Sequence, residues 1–202
     1  YVMITTGDKK LFLIDAYALI YRAYFAFSKN PRLTSKGLDT SAIYGFTNIL
    51  VDIIKKEKPS HLGVVFDTPK KTHRHIEYIE YKANRDAMPE GISTAIPYIK
   101  KILDALNIPI LFLDGFEADD VIGTLAMQTQ EFGQHEPVMI ISSDKDFIQL
   151  HKYNNVKQFS PIQKKMVSDP NPRTYCFEHI CKGDKGDGIP NICLLYTSPS
   201  PR

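Results

Sequence analysis

The feature that most constrains this chain is a recurring pair: a short apolar run with carboxylates at or just beyond its end. LFLID ends on Asp15 and HLGVVFD on Asp67, IPILFLDGFEADD carries Glu117, Asp119 and Asp120, and VMIISSDKD carries Asp144 and Asp146. Each run is short and partly β-branched, the pattern of a strand buried on both faces of a parallel sheet. In an open α/β sheet the carboxyl ends of such strands share one crevice, where ligands bind. Carboxylates gathered there repel one another unless cations sit between them. The spacing therefore predicts a site for divalent ions, two of them, and phosphate chemistry.

Taken singly these acids say less. Asp15 alone could cap the following helix. EADD is stronger, because a helix N-terminus only partly offsets three adjacent acids. In DKD an extended backbone would project Asp144 and Asp146 to one side, which suits a metal and not an apolar core. GDKGDG, with Asp184 and Asp187, could be a plain turn.

Between the runs the chain alternates to helical periodicity. AYALIYRAYFAF is apolar at helical spacing, and KNPRLTSKGLD is a loop of turn formers. SAIYGFTNILVDIIKKEK reads as an amphipathic helix with Ser41 as N-cap and Ile43, Phe46, Ile49/Leu50 and Ile53/Ile54 on one face. Residues 70–88 read as a basic helix stopped near Pro89, with Arg74, Tyr78, Tyr81/Lys82 and Arg85 sharing a face. A further helix from about Ser93 to Leu106 sends Ile96, Ile99, Ile102/Leu103 and Leu106 toward the core. GFEADDVIGTLAMQTQEF opens a helix on its acids, and NNVKQFSPIQKKMV reads as a short hairpin. A final helix contains Phe177 and Ile180. The fold class that follows is α/β, a central parallel sheet with helices on both faces.

The net charge of +2 excludes little, but its distribution matters: the acids gather in motifs, while bases gather between Lys70 and Arg85 and again from Lys152 to Lys165. Cys176, Cys181 and Cys193 are too few for a disulfide framework, and Cys176, His179 and Cys181 lack a fourth zinc ligand. No apolar run approaches the roughly 18–20 residues of a membrane span, and no signal peptide is visible. These features predict a soluble intracellular protein with no membrane contact; it is expected to be a cytoplasmic monomer. No Gly-rich loop follows the first strand, which argues against a Rossmann nucleotide binder.

LFLIDAYALIYRAYFAF, VVFD followed by YKANR, GFEADDVIG, IISSDKDFIQL and KGDKGDGIP together resemble the structure-specific 5′-nucleases. That family includes the flap endonucleases, the 5′-nuclease domain of bacterial DNA polymerase I and the phage RNase H enzymes. The resemblance runs from Lys10 to Ile192. It implies a PIN-like 5′-nuclease core that cuts DNA or RNA–DNA at 5′ ends and flaps, in primer removal or repair, with two Mg²⁺ or Mn²⁺ ions. It further implies that Asp15, Asp67, Glu117 and Asp119 surround the first ion. Asp119 or Asp120, Asp144, Asp146 and Asp187 would serve the second. Lys82 and Arg85 would belong to a helical arch and pair with the scissile phosphate. Arg22 and Arg74 would be weaker backbone contacts.

KGDKGDGIP resembles the start of a helix–three-turn–helix that grips duplex DNA, with K⁺, through Gly183, Asp184, Gly186 and Gly188. Expected partners are 5′-flap or primer-junction DNA and replication proteins. The implied divisions are an N-terminal extension (1–9), a catalytic core (10–175, with the arch region at 70–105) and an incomplete helix–three-turn–helix (176–192). CLLYTSPSPR (193–202) lacks periodicity. One reverse translation of it reads as a sequencing-library adaptor, so it is expected to be non-native; Tyr1 and Val2 read as upstream readthrough before Met3. Two rival readings are a DNA-binding fragment that does not cut and a PIN-class RNase, the latter opposed by YKANR and GDKGDGIP.

Overall fold

A computed structural model of the protein describes residues 9–131 and 133–192. The expected extension before Lys9 and the expected tail from Cys193 lie outside the described residues, apart from Lys9 itself. The chain runs β1 (Leu11–Asp15), α1 (Ala16–Ala26), α2 (Ser41–Glu57), β2 (His61–Val65), α3 (His73–Glu77), α4 (Glu90–Ala105), β3 (Ile110–Leu111), α5 (Ala118–Glu131) and β4 (Val138–Ile141). A 3₁₀ helix (Lys145–Lys152), β5 (Val156–Ser160), β6 (Lys165–Val167) and α6 (Pro172–Lys182) follow.

The sheet order is β3-β2-β1-β4-β5-β6. Every neighbouring pair is parallel except β5–β6, so the sheet is mixed and not purely parallel. The exception is the hairpin read from NNVKQFSPIQKKMV. β1 lies between β2 and β4, and side-chain alternation divides the core. Phe12 and Ile14 pack under α1, α2 and α4 with Ile20, Phe46, Ile99 and Leu103. Leu13 and Ile140 face α5 and the 3₁₀ helix, against Ile122, Phe147 and Leu150. Helices thus cover both faces, and the strand order reverses at β1/β4, the position where an open sheet leaves its crevice.

Several local expectations shift. Thr40, not Ser41, is the N-cap of α2. Ser41 is the first helical residue, and its hydroxyl accepts the Arg32 N–H at 2.8 Å. Leu106 caps the end of α4 and is exposed.

The larger correction concerns residues 70–88. Only His73–Glu77 is helical; Tyr78 is extended and Lys82 has φ +55. The cause is tertiary. Tyr81 and Lys82 both reach Glu117, at 2.8 and 2.7 Å, and neighbours on an α-helix diverge too far to share one carboxylate. DKD is extended only at Asp144; Lys145 and Asp146 already belong to the 3₁₀ helix. Asp144 caps the 3₁₀ helix by accepting the Asp146 N–H at 2.8 Å, a local bond that favours the turn.

Candidate active site

The acids converge at the carboxyl ends of β1, β2 and β4 in a crevice of about 1080 Å³. Asp15 ends β1. One oxygen accepts the Ala18 N–H at 3.1 Å and so caps α1, and the other accepts the Ser142 hydroxyl at 2.9 Å. Burial pushes its carboxyl up to about 6 against those two donors, and Asp67 and Asp144 add repulsion. Asp67, just past β2, accepts the Ala118 N–H at 2.7 Å, and burial raises it as well. Asp119, in the first turn of α5, is pushed up to about 8 by burial, with Asp15, Asp144 and Asp67 contributing. Asp146 is raised by burial and by Asp144. Among the described residues no ion pair reaches Asp15, Asp67, Asp119 or Asp144.

The remaining acids are paired. Burial tends to raise Glu117, but Lys82, Tyr81 and Arg74 outweigh it and hold the carboxyl below its usual value. Arg74 grips both oxygens of Asp120 at 2.7 Å and lowers that carboxyl. Arg85 bonds Asp187 at 2.5 Å, with Lys82 at 3.9 Å. Among the described residues, no group of three His, Cys, Asp or Glu side chains is already arranged to hold a metal ion. The donor chemistry nevertheless fits hard divalent cations: every acid offers oxygen, and burial raises the carboxyls of Asp15, Asp67 and Asp119, an effect a bound cation would offset.

The turn after α6 carries the predicted glycines. Gly183 and Gly188 have φ +67 and +75. A Cβ on Gly188 would lie 2.6 Å from the Glu80 carbonyl oxygen, and one on Gly183 would lie 2.5 Å from those of Ile189 and Pro190. At both positions the close approach is to the chain's own backbone. Asp184 accepts the Gly186 N–H at 2.7 Å. The turn is joined to residues 78–85: Lys82 N–H donates to Asp187 O at 2.9 Å, Asn84 to Lys185 O at 2.8 Å and the Tyr78 hydroxyl to Gly188 O at 3.2 Å.

Arg22 stands apart. It lines a separate cavity of about 350 Å³ beside Asp52 and Glu57. His75 contacts the Thr72 hydroxyl at 2.8 Å and packs edge-on against Tyr81. His179, read beside Cys176 and Cys181, lies 3.2 Å from Asp146 and 3.8 Å from Asp184. Ser142 and Gln158, both fully buried, were not read as site residues. For Gln158 the signal was a polar residue at an inward position of VKQFS.

Residues 10–175 match the sequence model of the family described as 5′-3′ exonuclease, N-terminal resolvase-like domain. The chain is 40% identical over 192 residues to a 5′-3′ exonuclease of Aquifex aeolicus, covering 91% of this chain and 65% of that one. It is 38% identical over 201 residues to DNA polymerase I of Caldicellulosiruptor bescii, covering 91% and 23%. It therefore spans less than two thirds of the length of these curated relatives. In fold it is similar to the T5 D15 protein co-crystallised with metal ions, at TM-score 0.69 and 21% identity over 91% of this chain and 70% of that one. A bacteriophage T5 D15 flap endonuclease in a pseudo-enzyme–product complex with DNA and metal ions superposes at TM-score 0.67, with the same identity and coverage.

Proposed function

The chain belongs to the family of 5′-3′ exonuclease N-terminal, resolvase-like domains, and from that premise we propose that it hydrolyses phosphodiesters at 5′ ends and 5′ flaps. The substrate is DNA with a 5′ flap, or the RNA–DNA junction of a primer, at a replication fork or repair site. The observation that carries this reading is the crevice itself: buried Asp15, half-buried Asp119 and exposed Asp67, all without ion pairs, beside Lys82 and Arg85.

Mg²⁺ or Mn²⁺ would be held by Asp15, Asp67, Glu117 and Asp119 at one position. At the second, Asp119 or Asp120, Asp144, Asp146 and Asp187 would hold it. When bound, such a pair supplies hydroxide from water and neutralises the attacking and leaving oxygens. The T5 proteins that share the fold and carry metal ions and DNA support the choice. Lys82 and Arg85 orient the scissile phosphate by charge-assisted hydrogen bonds and offset charge as it develops. To do so they exchange Glu117 and Asp187 for the phosphate. Arg74, held by Asp120, borders the same crevice and contacts the backbone. The turn at 183–190 binds the duplex with K⁺, and replication proteins are partners of the cytoplasmic monomer. No helix among the described residues is long and apolar enough to cross a membrane.

One observation favours a second reading, DNA binding without cutting: Glu117, Asp120 and Asp187 are already paired with bases. Cleavage of a 5′-labelled flap duplex in Mg²⁺, beside EDTA and Asp146→Ala controls, separates the two. Metal-dependent cutting near the junction, lost in the variant, is expected. A wild-type protein that binds the flap but leaves it intact in both Mg²⁺ and Mn²⁺ supports the second reading.

A further inference from the structure

Along β5 the inward side chains are Val156, Gln158 and Ser160, and all three are buried. Val156 packs in the core beneath the 3₁₀ helix. An apolar residue at 158 would extend that contact, so a buried amide there needs every polar atom satisfied. It is. The Gln158 amide nitrogen donates to the Ser142 carbonyl at 3.0 Å and the Asp144 carbonyl at 2.5 Å. Both its hydrogens are therefore used, its oxygen must accept, and His151 Nε2 at 3.1 Å is the donor.

The two carbonyls belong to the turn that leaves β4 for the 3₁₀ helix. Its other groups are also held. The Ser142 hydroxyl donates to Asp15 and accepts the Asp144 N–H at 3.1 Å. Ser143 and Ser160 share a hydrogen bond of 2.9 Å. Asp144 in turn accepts the Asp146 N–H. One amide on β5 thus fixes the backbone on either side of Ser143, just before the carboxylates that face the crevice.

We infer that Gln158 is a positioning residue for the metal-binding half of the site formed by Asp144 and Asp146, acting through the backbone of residues 142–144 without touching ion or substrate. The inference rests on the two-ion reading above. Groups that orient metal ligands from behind change affinity by about ten- to a hundredfold when removed.

The test is Mn²⁺ binding by titration calorimetry without DNA, on wild type, Gln158→Met and Val156→Ala. Met keeps the length of the side chain and removes both donors. Val156→Ala weakens the same strand and leaves the turn's hydrogen bonds in place. Gln158→Met is expected to weaken one of two Mn²⁺ events at least tenfold, with DNA affinity in EDTA unchanged. Val156→Ala lowers the melting temperature and leaves both events intact. Should Gln158→Met not fold, Gln158→Leu removes the same donors in a similar volume and is expected to give the same loss. An unchanged isotherm in a folded Gln158 variant, or an equal loss in Val156→Ala, overturns the inference. Absence of Mn²⁺ binding by the wild type overturns the two-ion reading instead.

Discussion

Replacing Asp15 by Asn should stabilise the metal-free protein, although Asp15 is at the centre of the site. Asparagine preserves the shape and removes the charge: its oxygen can accept the Ala18 N–H, and its amide can donate to the Ser142 hydroxyl, with the direction of that bond reversed. Burial raises the folded-state carboxyl from 3.8 to about 6. The folded state therefore binds the proton more tightly than the unfolded chain. The associated stability is complete below about pH 3.8 and lost as pH rises through about 6.

At about 1.4 kcal/mol per pH unit, the loss at pH 7.5 comes to about 3 kcal/mol, and at pH 5 to roughly half of that. The Asn variant escapes it. Thermal melts followed by circular dichroism in EDTA should then place Asp15→Asn roughly 6–12 °C above wild type at pH 7.5. The gap should narrow at pH 5. Excess Mg²⁺ should close or reverse it, because an ion bound at a hundred times its Kd adds about 2.7 kcal/mol to the protein that binds it. An Asn variant that melts below wild type in EDTA at pH 7.5 would refute the reasoning. It would mean that the two hydrogen bonds outweigh burial and hold Asp15 ionised.

Lys82→Ala removes a phosphate partner and is expected to lower flap cleavage by about 10²–10³, while DNA affinity in EDTA changes by less than tenfold; comparable losses in both would make Lys82 a simple binding contact. Gly188→Ala places a methyl 2.6 Å from the Glu80 carbonyl oxygen at φ +75, a strain of at least about 1–2 kcal/mol. It should speed tryptic cleavage after Lys82 and Arg85, and an unchanged rate would show that the turn does not hold that segment.

The sequence reveals the elements whose signals are local. Apolar runs ending in carboxylates locate β1, β2 and β4, and the spacing of Phe46, Ile49/Leu50 and Ile53 locates α2 to within a residue at its start. The crevice followed from the same signals, because strand ends of one parallel sheet must meet. Residues 78–88 were not legible. Their helical spacing is real, but Lys82 N–H finds its acceptor at Asp187 and Tyr81 finds Glu117, partners that local periodicity cannot register. The pairing of Glu117, Asp120 and Asp187 with bases was hidden for the same reason. The role of Gln158 was not legible either, since only the register of β5 against β4 puts its amide under the turn.

The zipper between residues 78–85 and 184–188 also has a timetable. Lys82 and Glu117 are 35 residues apart, whereas Arg85 and Asp187 are 102 apart. At about 5–20 residues per second of synthesis, Arg85 emerges from the ribosome roughly 5–20 s before its partner. During that interval the sheet can close around its acids, with Lys82 engaged and Arg85 still waiting. The lip of the crevice is then completed by the later-made turn, so a nascent chain holds its acid cluster, with Glu117 and Asp120 already paired, before Arg85 reaches Asp187.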